Sequence, residues 1–293
     1  MKQSLDFFAA GRLLGMMAVV AIPFALAGAL VAGLTGALIG TGLAVAFLTA
    51  AYAVAGRVIV RIFDAVEVDA STHPELYEIV SDLALRAGIP APRVAVSRLG
   101  TPNAFAAPTP GGGVLGVTEP LLSILSRPEL EAVLAHELAH LARPARAVAT
   151  TAALFAALPG ALSMRWGCDN YYGLRFRRNR KPTSSDRRDQ VFGFWSALPA
   201  VVLVRLAASD KIEFEADAGA AALCGGPEHL CSALRKIDSL AGRLVTPINP
   251  ALSHLLVVHP FSQTPLSRMF DAHPPIKERI ERMTASDEET HAS

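Results

Sequence analysis

Two histidines four residues apart, with a glutamate directly after the first, stand at His136-Glu137-Leu138-Ala139-His140. On a helix, side chains at i and i+4 project from one face a turn apart, so both imidazoles can reach one ion. Imidazole nitrogen suits zinc at about 2.0–2.1 Å. Glu137, next to the first histidine, is placed to take a proton from a water at such an ion. The chemistry this spacing offers is metal-assisted hydrolysis. The bland alternative is a pair of exposed helical histidines beside a solvated glutamate.

Two histidines do not close such a site; a third protein ligand is needed, with the fourth position left for water. The segment Lys211-Ile212-Glu213-Phe214-Glu215-Ala216-Asp217 offers carboxylates. Glu213 and Asp217 are four apart and share a helix face, whereas Glu215 points about 200° away from Glu213 in an ideal helix. The first carboxylate can bind the metal. The second can accept the proton on a ligand histidine's other nitrogen and so fix its tautomer. An acidic, solvated helix face explains the same spacing, and His229, His254 and His259 are rival third ligands without a local pattern in their favour.

The elements that must carry these residues are partly legible. Ser126-Arg127-Pro128-Glu129 reads as a capping box with proline in the first turn, so a helix begins there. Leu130, Val133, Leu134, Leu138 and Leu141 give it an apolar face. His73–Gly88 is amphipathic and closed by Gly88 and Pro90; Pro227–Gly242 is another helix, and Pro274–Met283 a short charged one. Ala285–Ser293 is a polar tail without a packing signal. Val94–Val96 and Val114–Val117 are short β-type runs. Gly111-Gly112-Gly113 leads into the second of these, which is expected to be an edge strand that an extended substrate joins through its backbone.

Composition places this machinery at a membrane. Of 293 residues 52% are hydrophobic and 18% charged, and the mean hydropathy is +0.36. Soluble domains average about 45–50% apolar and about 25% charged. A formal net charge of +1 offers no basic field for nucleic acid. Cys168, Cys224 and Cys231 exclude a disulfide scaffold and lack the pairing of a thiolate zinc site.

Between Arg12 and Arg57 lie 44 residues without a charge or a histidine. That is about twice what one span of a ~30 Å hydrocarbon core needs, so two helices with a break at Gly33-Leu34-Thr35-Gly36 are expected. Gly36 and Gly40 are spaced to let the two approach closely. Lys2 and Arg12 before the pair, Arg57 and Arg61 after it, and an uncharged turn put both flanks in the cytoplasm. Two more apolar stretches, Ala147–Met164 and Val191–Ala208, flank a loop, Arg165–Gln190, with five more basic than acidic residues. If both crossed the bilayer, that loop would lie outside against the charge rule; re-entrant or surface-lying helices are the alternative.

Asn103-Ala104-Phe105-Ala106, His136-Glu137-x-x-His140, Glu213-Phe214-x-Ala216-Asp217 and His273-Pro274-Pro275 follow one another behind the apolar amino-terminal segment. In this order they resemble the HtpX-like membrane zinc metalloproteases, relatives of the CAAX prenyl endopeptidases. The resemblance covers nearly the whole chain. Asp210 and Ile212 stand where the family usually has arginines, and Ala107-Pro108 where relatives more often show Thr-Gly.

The resemblance implies an α+β, mainly helical protein. It would have a transmembrane helical hairpin at 1–62 and a zincin-type metalloprotease domain at 63–293, with a small sheet and an apolar helical insertion at 146–208. It implies one catalytic zinc ion held by His136, His140 and Glu213, Glu137 as general base, and Asp217 behind a ligand histidine. It further implies that Asn103 holds substrate backbone and that His273 steadies the oxyanion.

The function expected is endopeptidase cleavage of membrane proteins, chiefly misfolded ones, by a multi-pass protein of the cell membrane whose catalytic domain faces the cytoplasm. Its partners would be membrane-protein or peptide substrates and the lipid bilayer, not nucleic acid. The alternatives are a dedicated processing protease for a lipidated or exported peptide, and a zinc-binding membrane regulator that cleaves nothing. A transporter-like protein is disfavoured because the apolar spans carry few ionisable residues.

Overall fold

The structure, a computed structural model, describes residues 7–109, 111–142, 210–241, 252, 255–258 and 273–291. The expected apolar insertion at 146–208, with its basic loop, and the rival ligands His254 and His259 lie outside the described residues, as does Cys168.

Helix α1 runs Phe7–Ile62, but Ala32 (φ −142°, ψ 29°) and Gly33 (φ 57°, ψ −140°) leave helical geometry and divide it into two arms. Gly33 takes the positive φ that a side chain would resist, at the first residue of the stretch where a break is expected. The arms touch. A Cβ on Gly36 would lie 1.9 Å from the Gly28 carbonyl oxygen, and one on Gly40 2.2 Å from that of Phe24. The Phe24 and Phe47 rings stack at 6.4 Å. The Gly36–Gly40 spacing thus meets backbone rather than side chains, with Gly28 as an unforeseen third member. Leu30, Val31 and Leu34 are 89%, 88% and 79% exposed, and Met17–Ile62 is long and apolar enough to cross a membrane. Towards its end the helix turns inward, with Ala55, Ile59 and Phe63 fully buried.

Four strands form one mixed sheet: β1 (Ala65–Val68), β2 (Arg93–Ser97), β3 (Ala104–Ala107) and β4 (Val114–Thr118), in the order β1-β2-β4-β3. β2 and β4 are parallel, the other two pairs antiparallel. Phe105 lies opposite Gly116, and its ring covers the glycine so closely that a Cβ there would sit 2.1 Å from it. Phe63 stacks on the same ring at 4.4 Å, which ties the end of α1 to β3.

The expectation that the run after the glycines is an edge strand is wrong. β4 is interior, paired on both sides. Its β3 neighbour comes from a local hairpin, but its β2 neighbour is set by a non-local parallel pairing that strand periodicity does not report. β3 is the outer strand on that side, and even its edge is covered: Leu256 bridges Phe105, and the Val257 N–H donates to the Ala104 carbonyl at 3.1 Å.

Among the described residues α1 is followed by helices α2 (Pro74–Ala87), α3 (Glu119–Ile124), α4 (Arg127–Leu141), α5 (Asp210–Cys224), α6 (Glu228–Ala241) and α7 (Ile276–His291). α2 and α6 match the sequence expectation to within a residue or two. α2 ends at Gly88 in the left-handed conformation (φ 68°), as a glycine after a helix commonly does. α7 continues to His291, so the supposed tail is largely helical. Its Glu288 and Glu289 are good helix formers, and a helix needs no apolar stripe in its last turns to continue.

The core gathers around α4. Leu130, Val133, Leu134 and Leu138 join Leu83, Leu115, Leu121, Leu234 and Ile237 in one apolar cluster. α4 is buried on nearly every side, its polar His136, Glu137 and His140 included, as expected of a helix at the centre of a domain rather than on its surface.

Candidate metal centre

α4 starts where the sequence says it should. The Ser126 N–H and hydroxyl both donate to Glu129 Oε2 at 2.8 Å, fixing the first turn. From there His136 and His140 project to one side, with Nε2 atoms 3.1 Å apart and rings at 89° to each other. α5 packs across that side and lowers Glu213 between them. Glu213 Oε1 lies 3.3 Å from His140 Nε2, and Oε2 3.6 Å from His136 Nε2. Small residues allow the approach: Gly219 of α5 faces the Ala139 methyl, which a Cβ would meet at 3.4 Å.

Donor atoms of His136, His140 and Glu213 all lie within 4.8 Å of one another. Ligands of a tetrahedral ion with bonds of about 2.0–2.1 Å stand about 3.3 Å apart, close to the separations found. Glu213 Oε2 is buried and stands among imidazole nitrogens, 3.0 Å from His273 Nδ1 and 3.6 Å from His136 Nε2, so an anionic oxygen faces the histidines, where a cation fits. The donor set of two nitrogens and one carboxylate oxygen is one that zinc accepts.

Asp217, one turn further along α5, accepts from His136 Nδ1 at 2.9 Å. This assigns the proton to Nδ1 and turns the Nε2 lone pair toward Glu213 and His140. Burial pushes the Asp217 carboxyl up, but the His136 and Arg279 contacts outweigh it and hold it at about 2. Glu213, also opposed by burial, is held well below the usual carboxylate range by His273 and His140. Glu137 is 1% exposed, one residue after His136. Glu215 is exposed and pairs with Lys211 at 3.8 Å, and His229 is exposed on α6; neither joins the group.

His273, just before α7, is brought to the site, its Nδ1 3.0 Å from Glu213 Oε2. Asn103 is engaged differently. Its Nδ2 donates to the Val258 carbonyl at 2.7 Å and its Oδ1 accepts the Val258 N–H at 3.3 Å. The side-chain amide thus reads an extended backbone as a neighbouring strand would, and in this structure that backbone is the chain's own.

Arg279 was not anticipated. It is fully buried, donates to Asp217 Oδ2 from Nε at 2.9 Å and to Oδ1 from Nη2 at 2.6 Å, and from Nη1 to the Val257 carbonyl at 3.1 Å. A signal was available: Ile276, Ile280 and Met283 mark the inner stripe of α7, and Arg279 sits on it. A charge on a core-facing stripe needs a buried partner. Away from the site, burial and Glu131 push the Cys224 thiol up to about 11, in keeping with an inert cysteine.

A His-Glu-x-x-His helix crossed by a second helix whose Glu213 completes a group able to hold a metal ion, beside a small sheet, is an arrangement suited to a metallopeptidase. The comparison with family models agrees: the model of peptidase family M48 matches residues 70–287, and the chain belongs to that family. Among its relatives, a "Protease HtpX homolog" of Thermococcus kodakarensis is 38% identical over 286 residues, covering 89% of this chain and 95% of that protein. One from Pelotomaculum thermopropionicum is 34% identical over 283 residues (92% and 96%), and one from Salinibacter ruber 33% over 275 (93% and 96%). The chain is thus a metallopeptidase similar to HtpX proteases.

Proposed function

We propose that this protein is a zinc-dependent endopeptidase of the cell membrane that hydrolyses internal peptide bonds of membrane proteins, chiefly misfolded ones, from the cytoplasmic side. The convergence of His136, His140 and Glu213 on one point carries the reading. Zinc there would polarise the scissile carbonyl and acidify a water. The chain's own residues do the rest. Asp217 keeps the His136 Nε2 lone pair directed inward. Glu137 takes the proton of the attacking water and hands it to the departing amine. His273, next to Glu213, is available to the developing oxyanion.

The membrane part rests on α1. Two arms of outward-facing apolar side chains, broken at Ala32–Gly33 and packed through Gly28, Gly36 and Gly40, support a transmembrane hairpin. The positive flanks Lys2, Arg12, Arg57 and Arg61 support a cytoplasmic domain. Because Ala55, Ile59 and Phe63 bury against that domain, its sheet stands directly at the end of the membrane helix, where substrates anchored in the same bilayer are concentrated. A regulator that only binds zinc has no use for the buried Glu137.

The test is Glu137→Gln in the purified full-length chain, offered an unfolded membrane protein with and without a chelator. Zinc content should stay at the wild-type level while cleavage falls by about 10²–10⁴-fold, the usual worth of a general base. Undiminished cleavage would remove Glu137 from the mechanism. One clean cut in a single precursor, with other membrane proteins untouched, would favour a processing protease.

A further inference from the structure

The two inward carboxylates of α5 each meet a residue delivered by α7 and the turn before it. His273 faces Glu213 at 3.0 Å, and six residues on Arg279 grips Asp217 through both oxygens. The guanidinium also lies 3.4 Å from His136 Nδ1. Its remaining nitrogen, Nη1, holds the Val257 carbonyl, in the same segment whose next residue is read by Asn103 and whose Val257 N–H pairs with β3. One buried side chain therefore bridges the proposed metal ligand's backing carboxylate and the segment that covers the outer strand.

A carboxylate with two acceptor oxygens, 1% exposed, can rotate to satisfy whichever donor is nearest unless both oxygens are fixed. With its two parallel N–H groups, the guanidinium fork fixes both and sets the carboxylate plane. That plane decides where Oδ1 meets His136 Nδ1, and hence where Nε2 points.

We propose that Arg279 is a positioning residue of the metal centre: through Asp217 it orients His136, and through Val257 it locks the outer-edge segment to the same point. The inference rests on the zinc-peptidase reading above. Outer partners of a ligand histidine are typically worth about 10–100-fold in metal affinity, and that is the effect expected here.

The experiment uses the full-length chain in detergent, stripped of metal and titrated with zinc against a chromogenic chelator, and separately loaded with cobalt(II), whose visible bands report coordination geometry. Arg279→Met should weaken zinc binding about 10–100-fold and shift the cobalt bands. Arg279→Lys, which keeps a charge but loses the fork, should fall between it and wild type. Because Arg279→Met leaves the buried Asp217 carboxylate with His136 as its remaining partner and can compromise folding, the double variant D217N/R279M, which removes both charges, is measured alongside. It should regain much of the thermal midpoint without regaining zinc affinity, and should bind no more weakly than D217N. Wild-type affinity and unshifted cobalt bands in R279M, or in the double variant once its midpoint recovers, would show Arg279 to be structural only and overturn the inference. Metal uptake by the wild-type chain that His136→Ala leaves unchanged would instead sink the peptidase reading, and this inference with it.

Discussion

α1 and α4 invert each other's rules. α1 turns Leu30, Val31 and Leu34 outward, more than three-quarters exposed, and touches itself mainly through glycines. α4 turns its polar groups inward, with His136, Glu137 and His140 no more than 1% exposed. Apolar side chains facing out are unfavourable in water and favourable in lipid. Buried imidazoles and carboxylates are unfavourable unless they are paired or coordinate a cation. In the proposed function each helix is arranged for a partner that is not polypeptide, lipid for α1 and a cation for α4, and each carries residues that a soluble protein would place elsewhere.

Either helix can be perturbed independently. The largest effect is expected at the metal centre. Glu213→Ala should weaken zinc binding by more than about 100-fold, exceeding what a residue behind the ligands contributes, while Glu215→Ala, on the exposed face, should leave zinc titration unchanged. The reverse ranking would require a different third ligand.

Next comes the apolar surface. Leu43, 58% exposed in the second arm, replaced by lysine should disfavour insertion by about 3–4 kcal/mol if it lies at mid-bilayer. The fraction recovered in the membrane pellet measures this, and unchanged partitioning would argue that this arm does not span.

Gly36→Ala places a methyl against the Gly28 carbonyl. Pushing the arms apart should cost about 1–3 kcal/mol, read as a lower melting point in detergent with zinc affinity preserved.

The smallest effect is electrostatic and sits at the start of α4. Burial pushes Glu129 up, but bonds from Lys236, Ser232 and Ser126 outweigh it and bring the carboxyl down to about 2. A carboxyl whose folded-state pKa is depressed adds stability above its unfolded value of about 4.3 and loses it as pH falls toward the folded one. Glu129→Gln should therefore lose on the order of 1–2 kcal/mol at neutral pH and show a flatter stability profile between about pH 4.5 and 2. Chemical denaturation at several pH values checks this.

Much of the centre was legible because helical spacing is a local property. His136 and His140 at i and i+4, Glu213 and Asp217 at i and i+4, and Glu215 turned away all follow from 3.6 residues per turn. The structure leaves each on the face the spacing assigns. In the sequence Arg279 is one more charge of a charged helix, although its place on the Ile276–Ile280–Met283 stripe marks it as buried. β4 was misplaced for a different reason. Strand periodicity tells which residues face the core but not how many neighbours a strand has, and its parallel partner β2 ends at Ser97, well before β4 begins at Val114.

What the sequence determined by itself is the set of local structures and the chemistry they carry: an apolar segment with a glycine break, a capped helix bearing two imidazoles, and a second helix with two carboxylates on one face. Periodicity, capping and composition act over a few residues, so one chain suffices to read them. Only the tertiary structure decided that α5 crosses α4 close enough to bring Glu213 within 3.3 Å of His140, that Asn103 grips Val258, and that Arg279 ties Asp217 to the edge of the sheet. Those contacts join residues 62 to 155 positions apart, and such pairings are fixed by how helices and sheet pack around a shared core, which no local pattern encodes.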